Sequence, residues 1–330
     1  MKRKTFAAGL ASIAIVPRPA GAAQFKWKYG SDLSADHPIS VRAVQAFGRI
    51  RKETGGAVDI ASYPNSVLGS DPQMLTQLRS GALEMLAYAG GILDVVVPLA
   101  SIENVAFAFH RREAAFAAMD GDLGALIRAQ IVEKGMIPLE RVWENGFREF
   151  TTSTHPIRTV DDLAGLKIRV SPGKLRFDTF RSLGASPTPI APNEVYTAMQ
   201  THIVDGQETA LLYMATQRYY EVQKYCSLTN HIWSGYWNLI NADKWNALPP
   251  NYQRIVRTAL NDAVPLQRAD NAVQNRSIED KLRRLGMIFN TTTPTSFKAK
   301  LVASGYYGRW REEFGEKAWA ALEKYSGKLS

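Results

Sequence analysis

Two hydrophobic periods alternate along this chain, and the alternation limits the folds open to it more than any other feature. "FKWKYGS" sets Phe25, Trp27 and Tyr29 against Lys26 and Lys28, the two-residue period of a half-buried strand. "HPISVRAVQAFGRIRKETGG" then switches to helical spacing. Pro38 suits its first turn, Val41, Val44, Phe47 and Ile50 recur on one face, and Gly55-Gly56 stops it. "AVDIASYPNS" returns to strand and ends in a Pro-Asn turn. "DPQMLTQLRSG" is a short helix with Asp71 at its cap, and "ALEMLAY" is strand again. The pattern continues to Val142 and predicts an α/β domain with a mostly parallel sheet.

A second α/β series starts near Gly146. "FREFTTS" reads as strand, "TVDDLAG" as a capped helical turn, "GKLRFDTFRSLG" as helix and "SPTPI" as an extended piece. "NEVYTAMQ" is a helix with Asn193 at its cap, "IVDGQET" a strand and turn, and "IWSGYWNLIN" a long strand rich in aromatics. From Pro249 to Leu285 one helical pattern runs on, with a kink expected at Pro265. At 330 residues the chain is comfortable as two domains. No repeat, low-complexity tract or Gly/Ser linker separates the halves, so several strands rather than one tether should join them.

"LKIRV" raises a question of its own. Leu166, Ile168 and Val170 face one way, leaving Lys167 and Arg169 on the other, just before a Ser-Pro-Gly turn. A solvated sheet edge would explain Arg169, and so would a binding site.

A formal charge of +9 would by itself admit a nucleic-acid partner. The opening "MKRKTFAAGLASIAIVPRPAGAAQ", however, has the three-part layout of a secretory signal peptide: Lys2 to Lys4, an apolar run from Phe6 to Val16, then small residues. Residues 1–23 are read as that signal, cut near Ala22 or Ala23, and the product as periplasmic. Their removal takes away four cations and no acid, so +9 becomes +5. No basic stripe or helix-turn-helix is evident, and a nucleic-acid partner is not expected. No later stretch approaches the ~18 apolar residues of a membrane span. Cys226 is the only cysteine, which rules out an internal disulfide, so stability must come from packed cores.

The signatures of several enzyme classes are missing. No two glycines flank a single residue as in G-x-G-x-x-G, and no Gly-Lys phosphate loop occurs. No His precedes a Glu, and no glycine pair frames a G-x-S-x-G elbow. His37, His110, His155, His202 and His231 are scattered without ligand spacing, so no metal or other cofactor is expected. Cys226, within "VQKYCSLTN", reads as a small buried hydrophobe rather than a nucleophile. An exported two-domain α/β protein of this kind fits ligand capture better than catalysis, with a hydrolase acting on an anionic substrate as the alternative.

"DLAGLKIRV", "LGASPTPIAPNEVYTAMQ", "VDGQE" and "YYEVQKYCSLTNH", in that order and spacing, closely resemble the periplasmic solute-binding proteins of tripartite ATP-independent periplasmic (TRAP) transporters, the DctP-like family. "YPNSVLGSDPQMLTQLRSGALEM" and "WENGFREFTTS" resemble its earlier blocks. The resemblance implies a two-domain periplasmic-binding-protein-like α/β fold with several hinge crossings and the long kinked helix. The first domain would take 24–145 and 235–274, and the second 146–234 and 275–330. It also implies a monomer that delivers a small organic acid to membrane permease subunits driven by an ion gradient.

By the same resemblance Arg169 grips the ligand carboxylate, and Arg148, in "NGFREF", is a second ligand-contacting arginine. The chemistry agrees, because a guanidinium stays charged and its fork matches a carboxylate. Two such cations would repel each other until the ligand arrives. Thr209 stands where the family usually has Asn, Pro192 where it often has an aromatic, and Ala89 at a position polar in some relatives. Asp71 is a candidate for a ligand hydroxyl, and Tyr213, Tyr236 and Trp237, with Trp233, for an aromatic wall. The expected ligand is a sugar acid such as a hexuronate or aldonate, the alternatives being a small aromatic acid or a dicarboxylate.

Overall fold

The computed structural model describes residues 23–329. The expected signal peptide and its cleavage point lie almost wholly outside them. Ten strands form one sheet: β1 (Phe25–Gly30), β2 (Val58–Tyr63), β3 (Met85–Ala89), β4 (Met136–Pro138), β5 (Trp143–Thr152), β6 (Lys167–Val170), β7 (Ser186–Pro189), β8 (Gly206–Ala210), β9 (Tyr225–Asn241) and β10 (Ile288–Thr291). Their order is β2-β1-β3-β9-β5-β8-β6-β7, with β4 and β10 also paired to β9.

The sheet is mixed: five of its nine strand pairs are parallel, including β1-β2 and β1-β3 of the first series as expected, and four are antiparallel. Parallel pairs stand on its flanks, β2-β1-β3 on one side and β8-β6-β7 on the other. The centre is antiparallel, because β5 and β9 run through both halves and pair with each other and with β3 and β8. β9 is 17 residues long; its C-terminal part lies on β3 and its N-terminal part on β10. Helices cover the flanks, giving two α/β domains joined through shared strands.

The crossing is irregular. Pairing of β5 with β9 jumps from Arg148↔Ile232 to Phe150↔Ser227, which leaves a bulge of extra β9 residues. Asn230 adopts the left-handed conformation there (φ 45°). Glu149 fills the bulge, its carboxylate accepting the backbone N–H groups of Thr229 (2.5 Å) and Asn230 (2.8 Å).

Local signals place most elements, with informative exceptions. Pro38 does open the helix Pro38–Glu53, and His37 caps it by accepting the Ile39 N–H. Its buried stripe is Ile39, Ala43, Ala46, Phe47 and Ile50, whereas Val41 and Val44 are 39% and 51% exposed. Small alanines allow close packing on the sheet, so the valines are turned outward. Ser70, not Asp71, is the cap of the helix Asp71–Ser80, and its N–H is held by Gln73 Oε1 at 2.8 Å. Asn193 lies in a short 3₁₀ turn, Pro192–Glu194, and it is Glu194 that occupies the position before the helix Val195–Gln200, with no capping bond from its side chain.

The helix Pro250–Arg284 continues through Pro265. It straps across the strands that join the halves. Gln267, fully buried on it, completes β5 where the register shifts: its Oε1 accepts the Glu144 N–H (2.9 Å) and its Nε2 donates to the Glu144 carbonyl (2.8 Å). Among the described residues no helix is long and apolar enough to cross a membrane.

Candidate functional site

Open α/β sheets bind ligands at the carboxyl ends of their parallel strands. Here two such edges face each other. Asp32 follows β1, Ala89 ends β3, Ser171 follows β6, and Thr209 lies near the end of β8. All four line one interior cavity, with Asp71, Asn145, Arg148, Arg169, Arg176, Tyr213 and Tyr236. Only about 20 Å³ within it is open to the centre of a water-sized sphere. That is room for roughly one water, so the walls stand closed. Wider hollows, near Tyr196 and His202 and beside Phe177 and Trp310, are surface grooves without converging buried charges.

Arg169 is 2% exposed, and β6 lies between β8 and β7, so a solvated sheet edge does not explain it. Its Nε and Nη2 both donate to the Ile190 carbonyl, at 2.9 and 2.8 Å. No carboxylate lies within 4 Å of it among the described residues, and Nη1 has no hydrogen-bond partner there.

Arg148 is differently placed. Nε donates to Glu208 Oε2, while Nη2 reaches Glu208 Oε1 (2.8 Å) and the Glu208 carbonyl (2.6 Å). Burial alone would raise the Glu208 carboxyl, but Arg148 and His231 outweigh it and hold the group well below the usual carboxylate range. The charge of Arg148 is thus cancelled within the protein, so the expected repulsion between two unmatched cations, Arg148 and Arg169, is not what this cavity contains.

The acids opposite are Asp32 and Asp71, 5% and 4% exposed. Tyr213 and Tyr236 each donate a phenolic O–H to Asp32 Oδ2 at 3.0 Å. Burial raises Asp32, while the two phenols and Arg169 oppose the rise. Asp71, relieved of capping by Ser70, points one oxygen, Oδ2, into the buried space without a partner. Burial and the charge of Asp32 push its carboxyl well above the ordinary range.

Of the residues expected from sequence, the cavity gathers Arg148, Arg169, Asp71, Thr209, Tyr213 and Tyr236, with Ala89 and Pro192 in its wall. It does not include Trp237. Successive residues of a strand face opposite ways, so Tyr236 points into the cavity and Trp237 away. Trp233 shares the outward face and packs edge-on against Phe109 and Phe116, with ring centres 6.2 and 6.1 Å apart. Sequence reasoning missed Asp32, Asn145, Ser171 and Arg176. Asp32, directly after β1, was findable from the strand-end rule; Arg176 sits in a helix where its spacing marks nothing.

A profile of the family described as "Bacterial extracellular solute-binding protein, family 7" matches residues 29–304. The chain belongs to this family. Among its relatives, the 2,3-diketo-L-gulonate-binding periplasmic protein of Escherichia coli is 29% identical over 87% of each chain. The C4-dicarboxylate-binding periplasmic protein of Rhodobacter capsulatus is 34% identical, covering 74% of this chain and 72% of its own. In structure, a TRAP periplasmic solute-binding protein from Polaromonas, solved with D-erythronate, matches with a TM-score of 0.87 at 29% identity. That match covers 91% of this chain and 98% of the other. In this TRAP solute-binding protein the cavity is lined by residues from both parallel flanks of the sheet.

Proposed function

We propose that this solute-binding protein captures a sugar acid, such as an aldonate or hexuronate, between its two halves in the periplasm and delivers it to TRAP membrane permease subunits. The observation that carries the reading is the meeting, in one buried cavity, of Arg169, which among the described residues has no carboxylate within 4 Å, with Asp32 and Asp71. A guanidinium fork supplies the partner for a carboxylate, and carboxyl oxygens supply acceptors for hydroxyl donors. Thr209 adds a hydroxyl to the same wall. Relatives named for a diketogulonate and solved with erythronate support it. With space for about one water in the closed state, capture requires the halves to part and close again.

An aromatic acid is less well served. Trp233 and Trp237 face away, and the phenols of Tyr213 and Tyr236 are engaged by Asp32. A thermal-shift panel of sugar acids, their neutral amides and aromatic acids tests the reading. Stabilisation by sugar acids but not by amides is expected, with the ligand recovered chemically unchanged. Stabilisation by aromatic acids alone, or turnover of the bound acid, would overturn it.

A further inference from the structure

Arg176 reaches the cavity from the helix Lys174–Ser182, on the β6 side, and is 1% exposed. Its only hydrogen-bond partner among the described residues is neutral. Nε and Nη2 donate to Asn104 Oδ1, at 3.2 and 2.7 Å, and Asn104 in turn donates to the Trp233 carbonyl at 2.9 Å. The contact crosses from one flank of the sheet to the other. Gly91 makes room for it, since a Cβ there would lie 1.8 Å from Asn104 Oδ1 and 2.6 Å from Arg176 Nη2. Among the described residues no carboxylate lies within 4 Å of Arg176.

A guanidinium removed from water needs an anion near it, and a carbonyl alone does not offset the loss. Arg148 and Glu208 cancel each other. The cavity then holds Arg169 and Arg176 against Asp32 and Asp71. Two carboxyl groups sharing one buried space do not both ionise readily. Asp32 has two phenols to hold its charge, whereas the inward oxygen of Asp71 has no partner. Glu103, buried beside Asn104, is pushed up to about 8 by burial and keeps its proton at neutral pH, while Asp94, which accepts the Lys174 N–H, stands at the rim outside the cavity lining. Among the side chains that line the cavity, two cations then face one anion, so the lining is one negative charge short of neutrality.

We propose that Arg176 is a second ligand-gripping residue and that, with Arg169, it makes the cleft select hydroxylated acids carrying one negative charge over the corresponding diacids. This rests on the sugar-acid reading and narrows it. The second carboxylate of a diacid would enter a low-dielectric space whose lining has no further net positive charge to offset it. A singly charged acid fills the deficit, with Arg169 at its carboxylate and Arg176 at oxygens farther along.

Calorimetry on the intact protein with matched pairs, galactonate against galactarate and gluconate against glucarate, tests the proposal. The monoacid of at least one pair should bind at least tenfold more tightly than its diacid. Arg176→Gln, which can still bond Asn104, should weaken the monoacid at least tenfold, and Arg176→Lys should recover part of that loss. Melting curves of both variants confirm folding. Equal or tighter binding of the diacids, or unchanged monoacid affinity in folded Arg176→Gln, would overturn the proposal while leaving the sugar-acid reading intact. Absence of binding by every sugar acid would overturn both.

Discussion

One carbonyl oxygen, that of Ile190, already holds two nitrogens of Arg169, so the side chain is pre-oriented and has only its remaining N–H groups to offer the acid we propose it grips. Arg169→Ala should therefore abolish measurable acid binding while the fold survives. Loss of a buried charged partner costs ~2–5 kcal/mol of binding. Arg169→Lys should restore little, since an ammonium cannot both hold Ile190 and meet a carboxylate as a fork does. Near-normal affinity of the alanine variant by calorimetry would contradict the assignment. The strand end that places Arg169 is legible in "LKIRV" because period and turn chemistry are local. The neutralisation of Arg148 is not, because Glu208 is sixty residues away and meets it only through the pairing of β5 with β8. Arg176 was hidden for the same reason: its partner Asn104 lies 72 residues distant.

Between elements, the helix Lys174–Ser182 begins at Gly173, which has no side chain to cap it, and Asp94 from the opposite flank accepts the Lys174 N–H at 2.9 Å. Losing a cap costs about 1 kcal/mol. Because this one spans the cleft, Asp94→Ala should weaken ligand binding about fivefold with little change in ligand-free melting. An equal loss of ligand-free stability would make the contact a purely structural cap. The bulge of β9 yields a pH prediction. Burial raises Glu149 from 4.5 to about 7, against the N–H groups of Thr229 and Asn230. Between those pH values the folded protein keeps a proton that the unfolded chain has released. Stability from this group is thus greatest below pH 4.5 and falls as pH rises towards 7, by roughly 3 kcal/mol. Glu149→Gln should flatten that part of the fall, read as the difference between variant and wild-type denaturant midpoints at pH 5 and 8. No difference in slope would mean that Glu149 titrates normally. Strands and helices at this scale follow from periodicity, yet the antiparallel centre does not. Strand direction depends on which distant segment arrives alongside, and nothing within "IWSGYWNLIN" specifies that β3 and β5 will flank it.

For the whole molecule, we propose domains of 24–145 with 235–274 and of 146–234 with 275–330, moving about the shared strands when ligand binds. Small-angle scattering should show a more compact form with a stabilising acid than without it; identical curves at saturation would argue against closure. The insertion of β9 between β3 and β5 has a further consequence, for the order of events as the chain folds. Everything up to β8 can be present while the middle of the sheet is still missing, because β3 and β5 have no partner for their facing edges until residues 225–241 arrive. Contacts of such long sequence separation make folding slow and late. A chain interrupted before β9 is two unfinished sheet fragments with open edges, prone to pair with the wrong neighbour. The first half of this protein, complete in sequence, cannot become a domain until the second half returns a strand to it.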